Sequence, residues 1–448
     1  PRIAHADRIT GMATPPRSTG DEADSADERD ELDASVTPAT APPGLPPVYG
    51  GPFVSLKDRD YRLLWFGTVF VGFGQWGQQI GINWLVFVLT DSAVQLGAVA
   101  FAGGILSLLL TPYAGVLADR YSRRMIILVA TIAGALQAIV LAVLVVSDTV
   151  EVWHAYVFAI LAATTQAMNM PARHAYVNDV SRPETLPNAI ALNSIAQNAA
   201  RIVGPPLAGL IAGWNLAAAF IFVALVRGIA TVLTIMLSAR ETPRDETSGN
   251  PLRLIFRGFA YLAKEADLRA LLLVNAITAL FVYPYVSFMP VFAERVFDGG
   301  SSAYGLLVSM IAVGSIVGLF ALAWLPNLKR RGILMLIGFL GYNAFLMAFT
   351  QAPTLILAMV AVATAGLFFG VASALNNTLF QVLVRNDMRG RGMASLQVAG
   401  GLSPLGALSM GYLIETVGIR TGVAAHIGVA LVVMLLVTLF GRSLRRLD

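Results

Sequence analysis

The chain contains no cysteine, which excludes disulfides and thiolate metal sites and leaves the compartment open. Its four histidines, His5, His154, His174 and His426, are scattered without ligand spacing, so no metal centre is expected. No nucleophile–base pair or phosphate loop is present either, so neither an enzyme nor a cofactor is expected. Charged residues are scarce, 13% of 448, against about 25% in soluble domains. The net charge of +4 does not point to nucleic acid, because the basic residues sit in short loops between apolar runs. What the chain has in excess is apolar residues, at 56%. The apolar runs are too long and too many for cores surrounded by water, so the bilayer is the expected solvent.

Residues 1–56 differ from the rest. They carry nine Asp or Glu and four Arg, many Pro, Thr and Ala, and almost no aromatics. Such a stretch buries too little apolar surface to order itself and reads as a disordered acidic N-terminal tail. It lacks the charged-then-apolar layout of a secretory signal, and Met12 is a candidate for the first native residue. Twelve apolar segments follow, near 62–89, 93–117, 125–147, 153–176, 188–213, 217–238, 269–296, 303–325, 333–350, 354–383, 391–415 and 420–441. About 20 apolar residues span the ~30 Å hydrocarbon core, so the expected class is an all-α membrane protein with twelve transmembrane helices. The longest break, 238–267, divides them six and six and contains an apolar pattern suited to a short amphipathic surface helix. The expected organisation is a bundle over 57–239, a cytoplasmic linker over 240–267, a second bundle over 268–441 and a basic tail over 442–448.

Between the second and third segments lies Gly115-Val-Leu-Ala-Asp119-Arg120-Tyr-Ser-Arg123-Arg124. Three arginines in so tight a turn place this loop in the cytoplasm. Of 27 Lys and Arg from Lys57 onward, 23 then fall at cytoplasmic ends, Arg295 and Arg420 outside, and Arg201 and Arg227 within helices. Both termini are therefore expected in the cytoplasm. The halves echo each other: Ala167-Met-Asn169 with Ala374-Leu-Asn376, Gly204 and Gly209 with Gly406 and Gly411, and Arg123-Arg124 with Arg330-Arg331. An inverted or parallel repeat with a midplane site is a transporter layout.

Polar residues recur at helical spacing on several segments. The first carries Gln75, Gln79 and Asn83; the fourth, Gln166, Asn169 and Arg173; the fifth, Asn193, Gln197 and Arg201; the seventh, Asn275 and then Tyr283-Pro284-Tyr285; the tenth, Ser373, Asn377 and Gln381 with Asn376 beside them. Amides cannot face hydrocarbon, so these stripes face protein or a cavity. Helix–helix hydrogen bonding is the alternative for each. Arg201 has no acid on its own helix, and is expected either to bind an anion or carbonyls in a cavity or to be held structurally; Arg227, with no polar stripe around it, favours the structural role. Pro284 is expected to bend its helix.

The Gly115–Arg124 stretch resembles, nearly letter for letter, the loop signature Gly-x-x-x-Asp-Arg-x-Gly-Arg-Arg of the major facilitator superfamily, with Ser122 in place of a glycine. Gly204-Pro205-Pro-Leu-Ala-Gly209 resembles the antiporter motif of its fifth helix, with Ala208 replacing a glycine. Met170–Val180, Leu186–Asn193 and Ala200–Pro205 together are similar to the enterobactin-exporter-like and macrolide-efflux-like branch, the transmembrane secretion effectors. The resemblance implies two pseudo-symmetric six-helix bundles, a substrate cavity lined by segments 1, 4, 7 and 10, and alternating access. It implies that Asp119 lies near the cytoplasmic end of the eleventh segment and pairs with Arg123 as a latch, in the same loop as Gly115, with Asp179 expected as a further partner for Arg120 or Arg123. It also implies efflux of an amphiphilic small molecule, drug or siderophore-like, by proton antiport. An importer or symporter, and a membrane sensor or scaffold that has lost transport, are the alternatives. The chain has no Asp or Glu in the middle of any segment, so the proton-coupling candidates are Glu294 and Asp91 at segment ends. A monomer in the bacterial inner membrane, with substrate, lipid and protons as partners, completes the expectation.

Overall fold

The computed structural model describes residues 51–238, 259–325, 329–385, 388–440 and 444–447, without the side chains of 112, 115, 116, 118, 119, 389–391 and 440. The acidic tail, the amphipathic linker pattern and part of the C-terminal tail lie outside the described residues. No strand occurs among the described residues.

The first six helices are α1 (Arg59–Thr90), α2 (Ala93–Arg120), α3 (Arg123–Val146), α4 (Val152–Val180), α5 (Leu186–Trp214) and α6 (Leu216–Ile235). The second set comprises α7 (Ala266–Phe281), α8 (Met289–Arg295), α9 (Gly300–Ala323), α10 (Arg331–Thr350), α11 (Leu355–Leu383), α12 (Arg389–Gly400), α13 (Ser403–Val417) and α14 (Ile419–Phe440). Among the described residues, eight stretches are long and apolar enough to cross a membrane by composition. The other four of the twelve expected segments are α1, α4, α5 and the α12–α13 pair. The first three carry the polar stripes, which lower their hydropathy. The last is broken.

Two segments expected as single helices are interrupted. The seventh divides into α7 and α8 around a 3-10 turn at Tyr283–Phe288, where Pro284 cannot donate and the expected bend is realised. The eleventh divides at Gly401-Leu402, between Gly400 and Pro404, a break that the single run 391–415 did not anticipate. By contrast α5 stays one helix through Pro205 and Pro206.

Short connections make successive helices antiparallel, so the molecule has a basic end, holding the Arg120–Arg124 turn, and a far end. At the basic end Arg124 donates to Thr234 O (3.4 Å) and Ile235 O (2.6 Å), covering the free carbonyls that end α6. Ser122, the departure from the loop signature, has φ −57, which needs no glycine. Trp214 and Trp324 are highly exposed at opposite ends, as interfacial tryptophans are.

The repeat is visible in the packing. Gly204 seats α5 on Trp76 of α1, and Gly406 seats α13 on Leu280 of α7. Gly209 crosses to Ser301 and Gly305 of α9, and Gly411 crosses to Ala93 of α2. Each glycine pair therefore does the same two jobs in its own half: the first packs within the bundle, the second packs across. At each of these four positions a Cβ would press on its neighbour, so close backbone approach is what the glycines supply.

Candidate substrate cavity

The halves meet from mid-depth to the far end. The α5–α9 and α2–α13 pairs carry most of this packing, with Gly97 against Ala407 and Gly104 against Pro404. Polar contacts reinforce it. Arg295 donates to the Asp91 carboxylate through Nη2 (2.8 Å) and Nε (3.1 Å), and also to the Asp91 carbonyl. Its guanidinium lies 5.9 Å from the Phe87 ring centroid. Asn83 Nδ2 donates to Tyr304 Oη (3.1 Å), Ser301 Oγ donates to Gly209 O (2.9 Å), and Ala93 N–H donates to Glu415 (3.1 Å). Glu415 thereby holds the N-terminus of α2 from the other half, where a helix favours negative charge.

Behind this closure three polar cavities open. The first, about 320 Å³, lies among α1, α4 and α5 and is lined by Gln75, Trp76, Arg173, Gln197, Asn198 and Arg201 among others. The second, about 360 Å³, lies among α1, α2, α4 and α6 and includes Gln75, Gln79, Asn83, Gln166 and Arg227. The third, about 480 Å³, belongs to the other half and includes Asn275, Tyr283, Ser373, Asn376, Asn377 and Gln397. Among the described residues, no acidic residue lines any of the three. A fourth hollow between α3 and α6 is apolar and faces outward, as a lipid-facing groove does.

Most stripe residues come together here, but their roles divide. Arg173 is 3% exposed; it donates to Asn169 Oδ1 (2.8 Å) and Thr68 Oγ1 (3.3 Å), while Asn169 donates to Thr131 (3.3 Å). These two residues join α1, α3 and α4, the role of polar glue. Gln78, next to the α1 stripe, donates to Gln137 of α3 (3.1 Å) in the same way. Asn275 donates to Leu396 O (3.0 Å) and ties α7 to α12. Arg201 is half-buried, lines the first cavity, and has no hydrogen bond or ion pair among the described residues. Tyr285 is buried in an aromatic cluster with Phe349 (6.4 Å between centroids) and lines none of these cavities. Tyr283 meets Phe369 edge-on at 5.7 Å. Asn193 is buried away from the cavities, and Gln381 is exposed towards the basic end of α11.

The two coupling candidates sit elsewhere. Asp91 is exposed at the far end with a left-handed backbone (φ 44) and is paired to Arg295. Glu294, next to Arg295 in the chain, is exposed. Neither lines a cavity, because each lies at the end of a helix rather than in its span. At the basic end Arg123 pairs with Asp179 at 2.7 Å, within one half. Arg120 is exposed, and the side chains of Gly115 and Asp119 lie outside the described residues. The far-end contacts of Arg295, Glu415, Tyr304 and Ser301 were missed in the sequence. Only Arg295, one of two basic residues at that end, carried a signal.

The comparisons with known proteins agree with this architecture. The family model described as "transmembrane secretion effector" matches residues 50–447. The staphyloferrin A transporter of Staphylococcus aureus is 27% identical over 79% of this chain and 89% of its own. The multidrug efflux pump Tap of Mycolicibacterium fortuitum is 25% identical over 88% of this chain and 98% of its own. Among solved structures, a bacterial homolog of the human lysosomal transporter Spinster, inward-facing and unoccupied, superposes with a TM-score of 0.67 at 18% identity, covering 86% of this chain and 97% of that one. The chain belongs to the transmembrane secretion effector family and is a multi-pass small-molecule transporter of the major facilitator superfamily, not an enzyme.

Proposed function

We propose that the protein exports an amphiphilic small molecule, drug or siderophore-like, by alternating access coupled to proton antiport. The observation that carries the reading is a set of amide- and arginine-lined cavities shut at the far end by contacts between the two halves. The basic end is cytoplasmic by the distribution of Lys and Arg, so the conformation is one loaded from the cytoplasm. Both termini are then cytoplasmic, in the inner membrane of a bacterium, and the monomer is the working unit. The relatives named for a siderophore and for multidrug efflux support the substrate class.

Export requires the far end to open. Asp91–Arg295 is the ion pair across that end, so a proton arriving from outside would act there: neutral Asp91 loses its charge-assisted bonds to Arg295. Glu294 is the other candidate. The test is accumulation of amphiphilic dyes and antibiotics in an efflux-deficient bacterium, with and without a protonophore. Lower accumulation that the protonophore abolishes is expected. Unchanged accumulation across the panel would defeat the multidrug form of the reading. Asp91→Asn and Glu294→Gln then decide coupling, since the residue that carries it removes dependence on the pH gradient when neutralised.

A further inference from the structure

Arg227 lines the second cavity without a hydrogen-bond partner for its buried Nε. It is 5% exposed, at mid-depth of α6, a helix with no other charged residue. Its stem runs between two glycines on different helices. A Cβ at Gly74 of α1 would stand 2.7 Å from its Cγ and 3.0 Å from its Nε, and a Cβ at Gly134 of α3 would overlap its Nη1. These glycines make a slot that delivers the guanidinium from the outer helix to the cavity among α1, α2 and α4. There its Nε is buried without a partner, and the guanidinium makes no hydrogen bond among the described residues. Arg173, within electrostatic range, adds a second positive charge and has its own unpartnered buried Nη2. A buried guanidinium with no counter-ion is costly, and more so beside another.

The slot would be pointless for a cation meant only to pack, since a leucine on α6 would fill it. The surrounding cavity, about 360 Å³, mixes amides with Ile82, Val99 and Ala100. That volume exceeds what an inorganic anion needs, and its walls suit an organic body carrying one anionic group. A guanidinium matches the two oxygens of a carboxylate, and the amide N–H groups supply the remaining donors. We propose that Arg227, with Gln75, Gln79 and Gln166, forms a subsite for a carboxylate of the substrate, so that the exported compound is an organic anion. This rests on the export reading and narrows it. The amide-lined cavity of the other half, where Asn376 Oδ1 is buried and unpartnered, would take the hydrogen-bonding remainder of the molecule.

The test uses the purified full chain in lipid nanodiscs and two fluorescent probes differing in one group, dansylglycine and dansylglycinamide. Wild-type protein is expected to prefer the acid by roughly tenfold or more, the scale of a charge-assisted hydrogen bond. Arg227→Gln should weaken the acid and leave the amide, bringing the ratio close to one, and Arg227→Lys should retain much of the preference. If Arg227→Gln does not yield a monodisperse protein, Gly134→Ala takes its place. It keeps the charge but pushes the guanidinium from its slot, with the same expected loss. An intact preference in these variants would overturn the proposal, and so would equal binding of acid and amide by wild type, or displacement of both by chloride alone. Extrusion of dansylglycinamide by wild-type vesicles without acid preference would overturn the carboxylate subsite while leaving export standing. Failure to bind or move either probe would overturn the subsite and count against export as well.

Discussion

Two arginines on neighbouring helices show how position decides what a buried charge does. Arg173 donates to Asn169 and Thr68 and so fastens α4 to α1. Removing it leaves the buried Asn169 Oδ1 without its donor, while Thr68 keeps its bond to Leu64 O, at about 1–3 kcal/mol for a buried polar group. Arg173→Ala is therefore expected to lower thermal stability, read as a drop in melting temperature in detergent. Arg201 holds nothing among the described residues and lines the cavity. Arg201→Ala should keep the wild-type melting temperature and expression while substrate flux falls at least tenfold; full flux in that variant would remove Arg201 from the substrate path. The sequence showed both residues as members of polar stripes and could not separate them. The difference lies in which acceptors the neighbouring helices bring within reach, and that is a tertiary fact. For the same reason Arg227 read as structural: the amides that share its cavity lie on α1 and α4, and its own helix gives no sign of them.

At the scale of elements, small residues set how closely helices approach, and the closure at the far end depends on them. Gly305 of α9 lies against the backbone of Pro205 and Pro206, and Gly209 against Ser301 and Gly305. Overpacking such a contact costs about 1–3 kcal/mol, enough to move a balanced two-state equilibrium several-fold to a hundredfold. Gly305→Val is thus expected to hold the far end open. The exposed Asp91–Arg295 pair is weaker, about 0.2–1 kcal/mol for an exposed ion pair, so Arg295→Ala should shift the same equilibrium by no more than several-fold. A double electron resonance distance between spin labels on α5 and α9 at the far end would rank the two. A larger change for Arg295→Ala than for Gly305→Val would show that charge, not packing, keeps this end shut. Local chemistry made one broken element legible and left the other unread. Tyr283-Pro284-Tyr285 pointed to the interruption between α7 and α8, where proline removes a donor, although Pro205 and Pro206 remove donors too and leave α5 whole. The break between α12 and α13 depends on Gly400, Gly401 and Pro404 acting together, a weaker signal inside an otherwise apolar run.

The whole molecule was the most legible level, since hydrophobic thickness and loop charge are summed over many residues and errors at single positions cancel. The all-α membrane class follows from such sums, and eight of the expected segments are apolar enough among the described residues to cross a membrane. What they could not supply is conformation: the same segments serve an outward-open and an inward-open arrangement, and the difference between them lies in a few contacts between halves. The absence of cysteine makes that difference measurable, because any introduced thiol is unique. Ser107 lines the cavity among α1, α2 and α4, and Ser373 lines the one in the second half. Both lie behind the far-end closure. Ser107→Cys and Ser373→Cys should each react with a membrane-impermeant maleimide in inverted vesicles and resist it in right-side-out cells. Adding Gly305→Val should raise the reaction from outside at both positions together, because a rigid bundle rocking about the midplane exposes both walls at once. Reaction at one position alone would mean that a local gate opens beside a fixed pair of bundles, and alternating access by rocking would not describe this transporter.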